Sequence, residues 1–195
     1  LDTTTPVVLQ LSDEIKPGDV LNISGSNLDK ALGLSVYATP SVEDPYFDIN
    51  NAIAFTEILQ YDLYGTYINV KVPDDMPAGI YDIWVATVAG QISAPNGRDS
   101  KLNMPRLYWI NEISAFEGLT IRAIGINFMA EEFGLEGVDT LVRLTNAKGE
   151  SYLMPVVDVN PYMVEFMIND IPVGTYDVQV SPDGVHWSNT PWDQQ

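Results

Sequence analysis

Apolar and polar residues alternate with a period of two in several short stretches of the chain. Leu21 and Ile23 alternate with Asn22 and Ser24, and Tyr67-Ile68-Asn69-Val70-Lys71-Val72 alternates in the same way. A period of two is the signature of a half-buried β-strand. In Tyr81-Asp82-Ile83-Trp84-Val85, the residues Tyr81, Ile83 and Val85 share one face. Tyr176, Val178 and Val180 repeat that arrangement about 95 residues on. The pattern predicts that Asp82 and Asp177 point to water and that Trp84 stands outside the core. Asn146-Ala147-Lys148-Gly149 and Ser181-Pro182-Asp183-Gly184 read as hairpin turns, the second between Val178–Val180 and Val185–Trp187. Asn50–Leu59 and Met129–Phe133 admit helical turns but do not support a helix.

The alternating stretches recur in order. Gly18-Asp19-Val20-Leu21-Asn22-Ile23-Ser24-Gly25-Ser26-Asn27-Leu28 matches Gly118-Leu119-Thr120-Ile121-Arg122-Ala123-Ile124-Gly125-Ile126-Asn127-Phe128. Pro77-Ala78-Gly79-Ile80-Tyr81-Asp82-Ile83 matches Pro172-Val173-Gly174-Thr175-Tyr176-Asp177-Val178. A looser match sets Gly90–Pro95 against Gly184–Pro191, each with a serine shortly before the proline. A period near 95–100 residues is too long for a solenoid and suits one small sandwich domain per copy. Pro95-Asn96-Gly97-Arg98-Asp99 is a turn-rich joint, which places the domains at residues 1–101 and 102–195. The Pro-x-Gly before each late strand reads as a turn entry in which the glycine takes positive φ. Tyr108 and Trp109, just past the joint, are expected to pack the two domains together.

The blocks resemble the IPT/TIG family of immunoglobulin-like domains. The resemblance rests on Pro6, Pro17-Gly18, Gly25-Ser26-Asn27-Leu28 and Pro77-Ala78-Gly79-Ile80-Tyr81-Asp82-Ile83 in the first copy. In the second it rests on Pro105, Glu117-Gly118, Gly125-Ile126-Asn127-Phe128 and Pro172-Val173-Gly174-Thr175-Tyr176-Asp177-Val178. It implies an all-β fold: two immunoglobulin-like (IPT/TIG, E-set type) β-sandwich domains in tandem. The first copy departs from the pattern by an inserted loop at residues 39–55. Family members occur in surface receptors, in transcription factors and as accessory modules of bacterial polysaccharide-degrading enzymes. The resemblance therefore implies a secreted or cell-surface protein.

Charge narrows the partners. The chain carries −18 formally, with 14 acidic and 5 basic residues in 1–101 and 13 and 4 in 102–195. Acidity so evenly spread repels phosphate backbones and anionic membranes, so nucleic acid is excluded as a partner. No apolar run reaches the ~18 residues of a spanning helix. The absence of cysteine excludes disulfides, thiolate catalysis and cysteine-ligated metals.

Candidate chemistry is sparse. His186 is the single histidine and reads as a loop residue, because no second histidine can share a metal with it. Carboxylates such as Glu131-Glu132, Asp74-Asp75 and Glu43-Asp44 are numerous, but no pair is singled out for glycosidic chemistry. Ser181-Pro182-Asp183-Gly184-Val185-His186-Trp187 is similar to the Asp-box hairpin of sialidase-type propellers, one residue short, with Trp187 packing on its own domain. No cofactor is expected. Asp44, Asp48, Asn50 and Asn51 crowd oxygen atoms into the inserted loop and form a weak calcium candidate without EF-hand spacing. Trp84 is a candidate glycan platform, because aromatic faces stack on sugar rings. The favoured reading is that it contacts a neighbouring domain or packs on the inserted loop. Tyr46, Tyr61 and Tyr64 are the second-rank glycan candidates. The leading expectation is a non-catalytic accessory module that spaces, docks or stabilises a neighbouring catalytic domain of the same polypeptide, one acting on polysaccharide. The alternatives are a carbohydrate-binding module and an adhesion or receptor segment that binds a protein.

Overall fold

The computed structural model describes residues 4–134 and 137–190. The chain divides into two compact units, Leu1–Asn103 and Met104–Gln195, two residues beyond the expected joint. Both are all-β, and each is an immunoglobulin-like sandwich.

In the first unit β1 (Val7–Leu11), β2 (Val20–Ser26), β5 (Glu57–Tyr61) and β6 (Tyr67–Lys71) form a sheet in the order β1-β2-β6-β5. The facing sheet has the order β4-β3-β7-β8, from β3 (Ser35–Pro40), β4 (Ile53–Phe55), β7 (Tyr81–Ala86) and β8 (Lys101–Leu102). In the second unit β9 (Arg106–Ile110), β10 (Thr120–Ile126), β13 (Val156–Asn160) and β14 (Met163–Met167) give the order β13-β14-β10-β9. Its partner sheet is β12-β11-β15, from β11 (Leu141–Asn146), β12 (Ser151–Met154) and β15 (Tyr176–Ser181). All described pairings are antiparallel. Each core is made by the inward residues of both sheets. Leu21, Ile23, Ile68, Val70, Val36 and Val85 lie at its centre in the first unit. Phe128, Phe166, Val142, Val164 and Val180 do so in the second. Each such side chain contributes about 1.5–3 kcal/mol by leaving water.

The repeated motifs have specific causes. A Cβ on Gly25 would lie 1.8 Å from the carbonyl oxygen of Val7, and one on Gly125 would lie 2.0 Å from that of Arg106. Glycine alone allows the first strand to cross so close. Two residues later Asn27 and Asn127 take left-handed backbones, at φ 56° and 60°. Their amides donate to the Thr5 carbonyl at 2.8 Å and the Met104 carbonyl at 3.2 Å, which ties the incoming chain to the sheet. In the Pro-x-Gly-x-Tyr block, Tyr81 Oη donates to the Pro77 carbonyl at 2.8 Å and Tyr176 Oη to that of Pro172 at 2.7 Å. Gly79 and Gly174 do not have positive φ, contrary to the turn reading. They leave room for the tyrosine ring, which a Cβ on Gly79 would meet at 3.0 Å.

Three local expectations are corrected. Residues 53–55 and 57–61 are strands, so the helical turn expected within 50–59 is confined to the 3-10 turn Ile49–Asn51, whereas the turn expected at 129–133 is present as the 3-10 turn Ala130–Phe133. Val185–Trp187 is not a strand. The turn at Ser181 is held instead by side chains, with Ser181 Oγ accepting from Gly184 N at 2.8 Å. Asp82 is 2% exposed, not wet, although its counterpart Asp177 is exposed as expected. Two segments cover Asp82: Val42 of the inserted loop, whose N–H donates to Oδ2 at 3.3 Å, and Lys101 of β8, whose Nζ donates to Oδ1 at 2.6 Å.

Candidate functional site

Trp84 is not an open platform. It points away from the sandwich core, as the alternation requires, yet it is only 4% exposed. Its cross-strand partner on the outer face is Tyr37. Phe47 of the inserted loop lies over both rings, with centroids 5.3 Å from Tyr37 and 5.7 Å from Trp84. The indole Nε1 donates to Thr39 Oγ1 at 2.9 Å. The second unit covers the equivalent face by other means. Arg143 and Gln179 are cross-strand partners joined at 2.7 Å, and the Arg143 guanidinium stacks 3.9 Å from the centre of the Trp187 ring. Trp187 thus packs on its own domain.

The second-rank aromatics are dispersed. Tyr46 is 71% exposed in the loop after β3, and Tyr64 is 85% exposed at the β5–β6 turn. Tyr61 is half-buried at the end of β5 and packs against the core; burial raises its phenol pKa. These residues stand on elements of opposite sheets and make no continuous row along one strand.

The oxygen cluster of the inserted loop is engaged in capping. Asp48 Oδ1 accepts from the Asn50 backbone N–H at 3.0 Å and from the Asn50 side chain at 3.1 Å, while Oδ2 accepts from Asn51 at 2.8 Å. Asp44 is not among these partners. No group of three His, Asp or Glu side chains among the described residues is arranged to hold a metal.

His186 is half-buried, with Nδ1 2.6 Å from Asp183 Oδ2. Burial alone would raise the Asp183 pKa. The hydrogen bonds from the His186 side chain and from the backbone N–H groups of His186 and Val185 outweigh it, and the carboxyl titrates below its ordinary range. The pair is a brace for the turn after β15.

Two features that the sequence did not single out lie on the outer faces of the β1-β2-β6-β5 and β13-β14-β10-β9 sheets. In the first unit a chain of side-chain hydrogen bonds crosses three strands. Ser24 Oγ donates to Asn22 at 3.0 Å, Asn22 to Asn69 at 2.7 Å, Asn69 to Gln60 at 3.0 Å, and Gln60 to Tyr67 Oη at 3.3 Å. The second unit replaces these amides. Arg122 ion-pairs with Glu165 across the strands, and Asp158 stands opposite Glu165 on β13. Beside this row a bulge in β9, between the pairs Ile124–Trp109 and Gly125–Leu107, puts consecutive residues Tyr108 and Trp109 on the solvent side. They are 50% and 53% exposed. Trp109 sits opposite Ile124, which is followed across the sheet by Met163. An outward aromatic pair therefore lies next to a row of charged hydrogen-bonding groups.

No protein-family model matches the sequence. No curated protein matches it either. Solved structures similar to the chain include SGBP-B from a complex xyloglucan utilization locus in Bacteroides uniformis. It is 18% identical with TM-score 0.36, over 96% of this chain and 48% of that one. The surface glycan-binding protein PbSGBP-B from Prevotella bryantii is 15% identical with TM-score 0.38, over 98% and 42%. The full extracellular region of plexin A4 is 11% identical with TM-score 0.36, over 95% and 24%. The chain spans less than half the length of each.

Proposed function

We propose that this chain is a non-catalytic binding module of a larger extracellular or cell-surface protein, and that it holds a neutral polysaccharide on the outer face of the β13-β14-β10-β9 sheet. The Gly-x-Asn and Pro-x-Gly-x-Tyr devices support placing each unit in the IPT/TIG group. The observation that carries the binding reading is the outward pair Tyr108–Trp109 beside Arg122 and Glu165. Aromatic faces accept the C–H faces of sugar rings, and the ionic row offers donors and acceptors to their hydroxyls. A net charge of −18 disfavours anionic glycans, so the ligand is neutral. The chain is tested by retention on a panel of neutral polysaccharides, with Trp109→Ala and Phe47→Ala compared. Retention lost in Trp109→Ala and kept in Phe47→Ala supports the assignment. Equal retention of wild type and Trp109→Ala overturns it.

A further inference from the structure

Asn96-Gly97 is the one Asn-Gly pair in the sequence. It opens the 3-10 turn Gly97–Ser100, just before β8. Both residues are exposed. The turn holds the Asn96 backbone. Its N–H donates to Ser100 Oγ at 2.8 Å, and its carbonyl accepts from Asp99 N at 3.1 Å. The Asn96 side chain reaches 88 residues back along the chain, where Nδ2 donates to the Val8 carbonyl at 3.1 Å. β1 is the edge of its sheet, so this amide satisfies one of the backbone groups that an edge leaves open.

The Gly97 nitrogen is left open. As the first residue of the turn it has no partner within it, and its N–H donates to no other group among the described residues. Gly97 takes a left-handed backbone at φ 54°, and no atom lies within 4 Å of the place a Cβ would occupy. Asp183-Gly184 is the one Asp-Gly pair and could close the same five-membered ring, but it is locked. Gly184 N donates to Ser181 Oγ at 2.8 Å. The Asp183 carboxylate accepts from Val185 N at 2.9 Å and His186 N at 2.7 Å, and its Oδ2 lies 2.6 Å from His186 Nδ1. Asparagines within strands, such as Asn22 and Asn69, precede the branched residues Ile23 and Val70, which hinder approach to the following nitrogen.

We infer that Asn96 is a self-modifying site: it loses its side-chain amide through the Gly97 nitrogen, and that loss releases the edge strand β1 from the Gly97–Ser100 turn. A solvent base removes the Gly97 N–H proton, and the nitrogen attacks Asn96 Cγ, a ring closure favoured because both groups belong to adjacent residues. The Cγ–Nδ2 bond breaks, and the nitrogen takes up a proton and leaves as ammonia. Water then opens the succinimide at either carbonyl, giving an aspartyl or an isoaspartyl residue. The net change is one amide and one water to one carboxylate and one ammonium ion, with no oxidant or cofactor. The nitrogen that leaves is the one bonded to Val8. A carboxylate in its place has no proton to donate, so two acceptors face each other and the tie between β1 and the turn is lost.

The test incubates the folded 195-residue chain at mildly alkaline pH in water enriched in heavy oxygen and maps its peptides by mass spectrometry. Label at residue 96, in both aspartyl and isoaspartyl forms, ahead of every other asparagine and absent from Asp183, supports the site. No label at residue 96, or label arriving as fast at Asn146 or Asp183, overturns it. The structural consequence is read in Asn96→Asp, which stands for the aspartyl product without the wait. Amide hydrogen exchange in β1 is expected to quicken by about tenfold over the fresh wild type, while β14 of the second unit is unchanged. Equal exchange of β1 in the two chains overturns the release of the strand. Asn96→Gln, whose longer side chain does not close the five-membered ring, is expected to gain no label at residue 96, and label there would overturn the route through Gly97.

Discussion

The indole of Trp84 donates its only N–H to Thr39 Oγ1 across two paired strands while Phe47 lies over the ring. One short loop thus turns an outward tryptophan into the centre of a second, outer core on the β4-β3-β7-β8 sheet. Removing the acceptor by Thr39→Val strands a buried donor and is expected to cost the first unit about 1–3 kcal/mol. Phe47→Ala is expected to destabilise by a similar amount and to shift tryptophan emission to the red. Denaturant unfolding followed by fluorescence checks both.

Lys101 and Asp82 form an ion pair with side chains 12% and 3% exposed. Asp82→Asn leaves the ammonium in a dry site, at an expected cost of about 3–5 kcal/mol. A double change to an apolar pair is expected to cost much less than the two single changes summed, and a double-mutant cycle on thermal unfolding measures the difference.

Gly25→Ala and Gly125→Ala drive a methyl group into a backbone carbonyl in one unit each. Each is expected to cost about 3 kcal/mol or more. Calorimetry is expected to show Gly25→Ala lowering the transition of the first unit and Gly125→Ala that of the second.

The depressed pKa of Asp183 sets a pH dependence. A carboxyl that titrates lower in the folded state than in the unfolded chain contributes stability above its unfolded pKa, and loses it as pH falls through the folded value. The second unit is therefore expected to weaken as pH drops below the ordinary carboxylate range. Asp183→Asn is expected to be less stable at neutral pH and to flatten that acid limb in a Tm-against-pH series.

Asp48 spends both carboxylate oxygens on the turn Ile49–Asn51. Asp48→Ala is expected to cost about 1 kcal/mol as the loss of a cap. The wild-type Tm is expected to be the same in calcium and in chelator, and a rise with calcium would mark the loop as a metal site.

The sequence by itself determined most of the strands, the two-unit plan and the places of the repeated Gly-x-Asn and Pro-x-Gly-x-Tyr blocks. Those follow from local rules: period-two alternation, a glycine where backbones cross, an asparagine that tolerates a left-handed backbone, and a tyrosine that reaches back four residues. Alternation also put Trp84 on the face opposite Tyr81, Ile83 and Val85, and the structure agrees. Tertiary structure alone decided whether that outer face is wet. Phe47, Ser41 and Val42 reach it from more than 35 positions earlier in the chain, and no local period encodes such a cover. The same holds for Tyr108 and Trp109. Strict alternation would bury one of the two, and the bulge that exposes both exists only against the register of β10. Closure of the sandwich end is non-local as well. Asp82 and Asp177 occupy the same place in one repeated motif, and one is buried while the other faces solvent. Val42 of the inserted loop and Lys101 of β8 both reach Asp82, and such contacts between distant segments are left open by residue type and spacing.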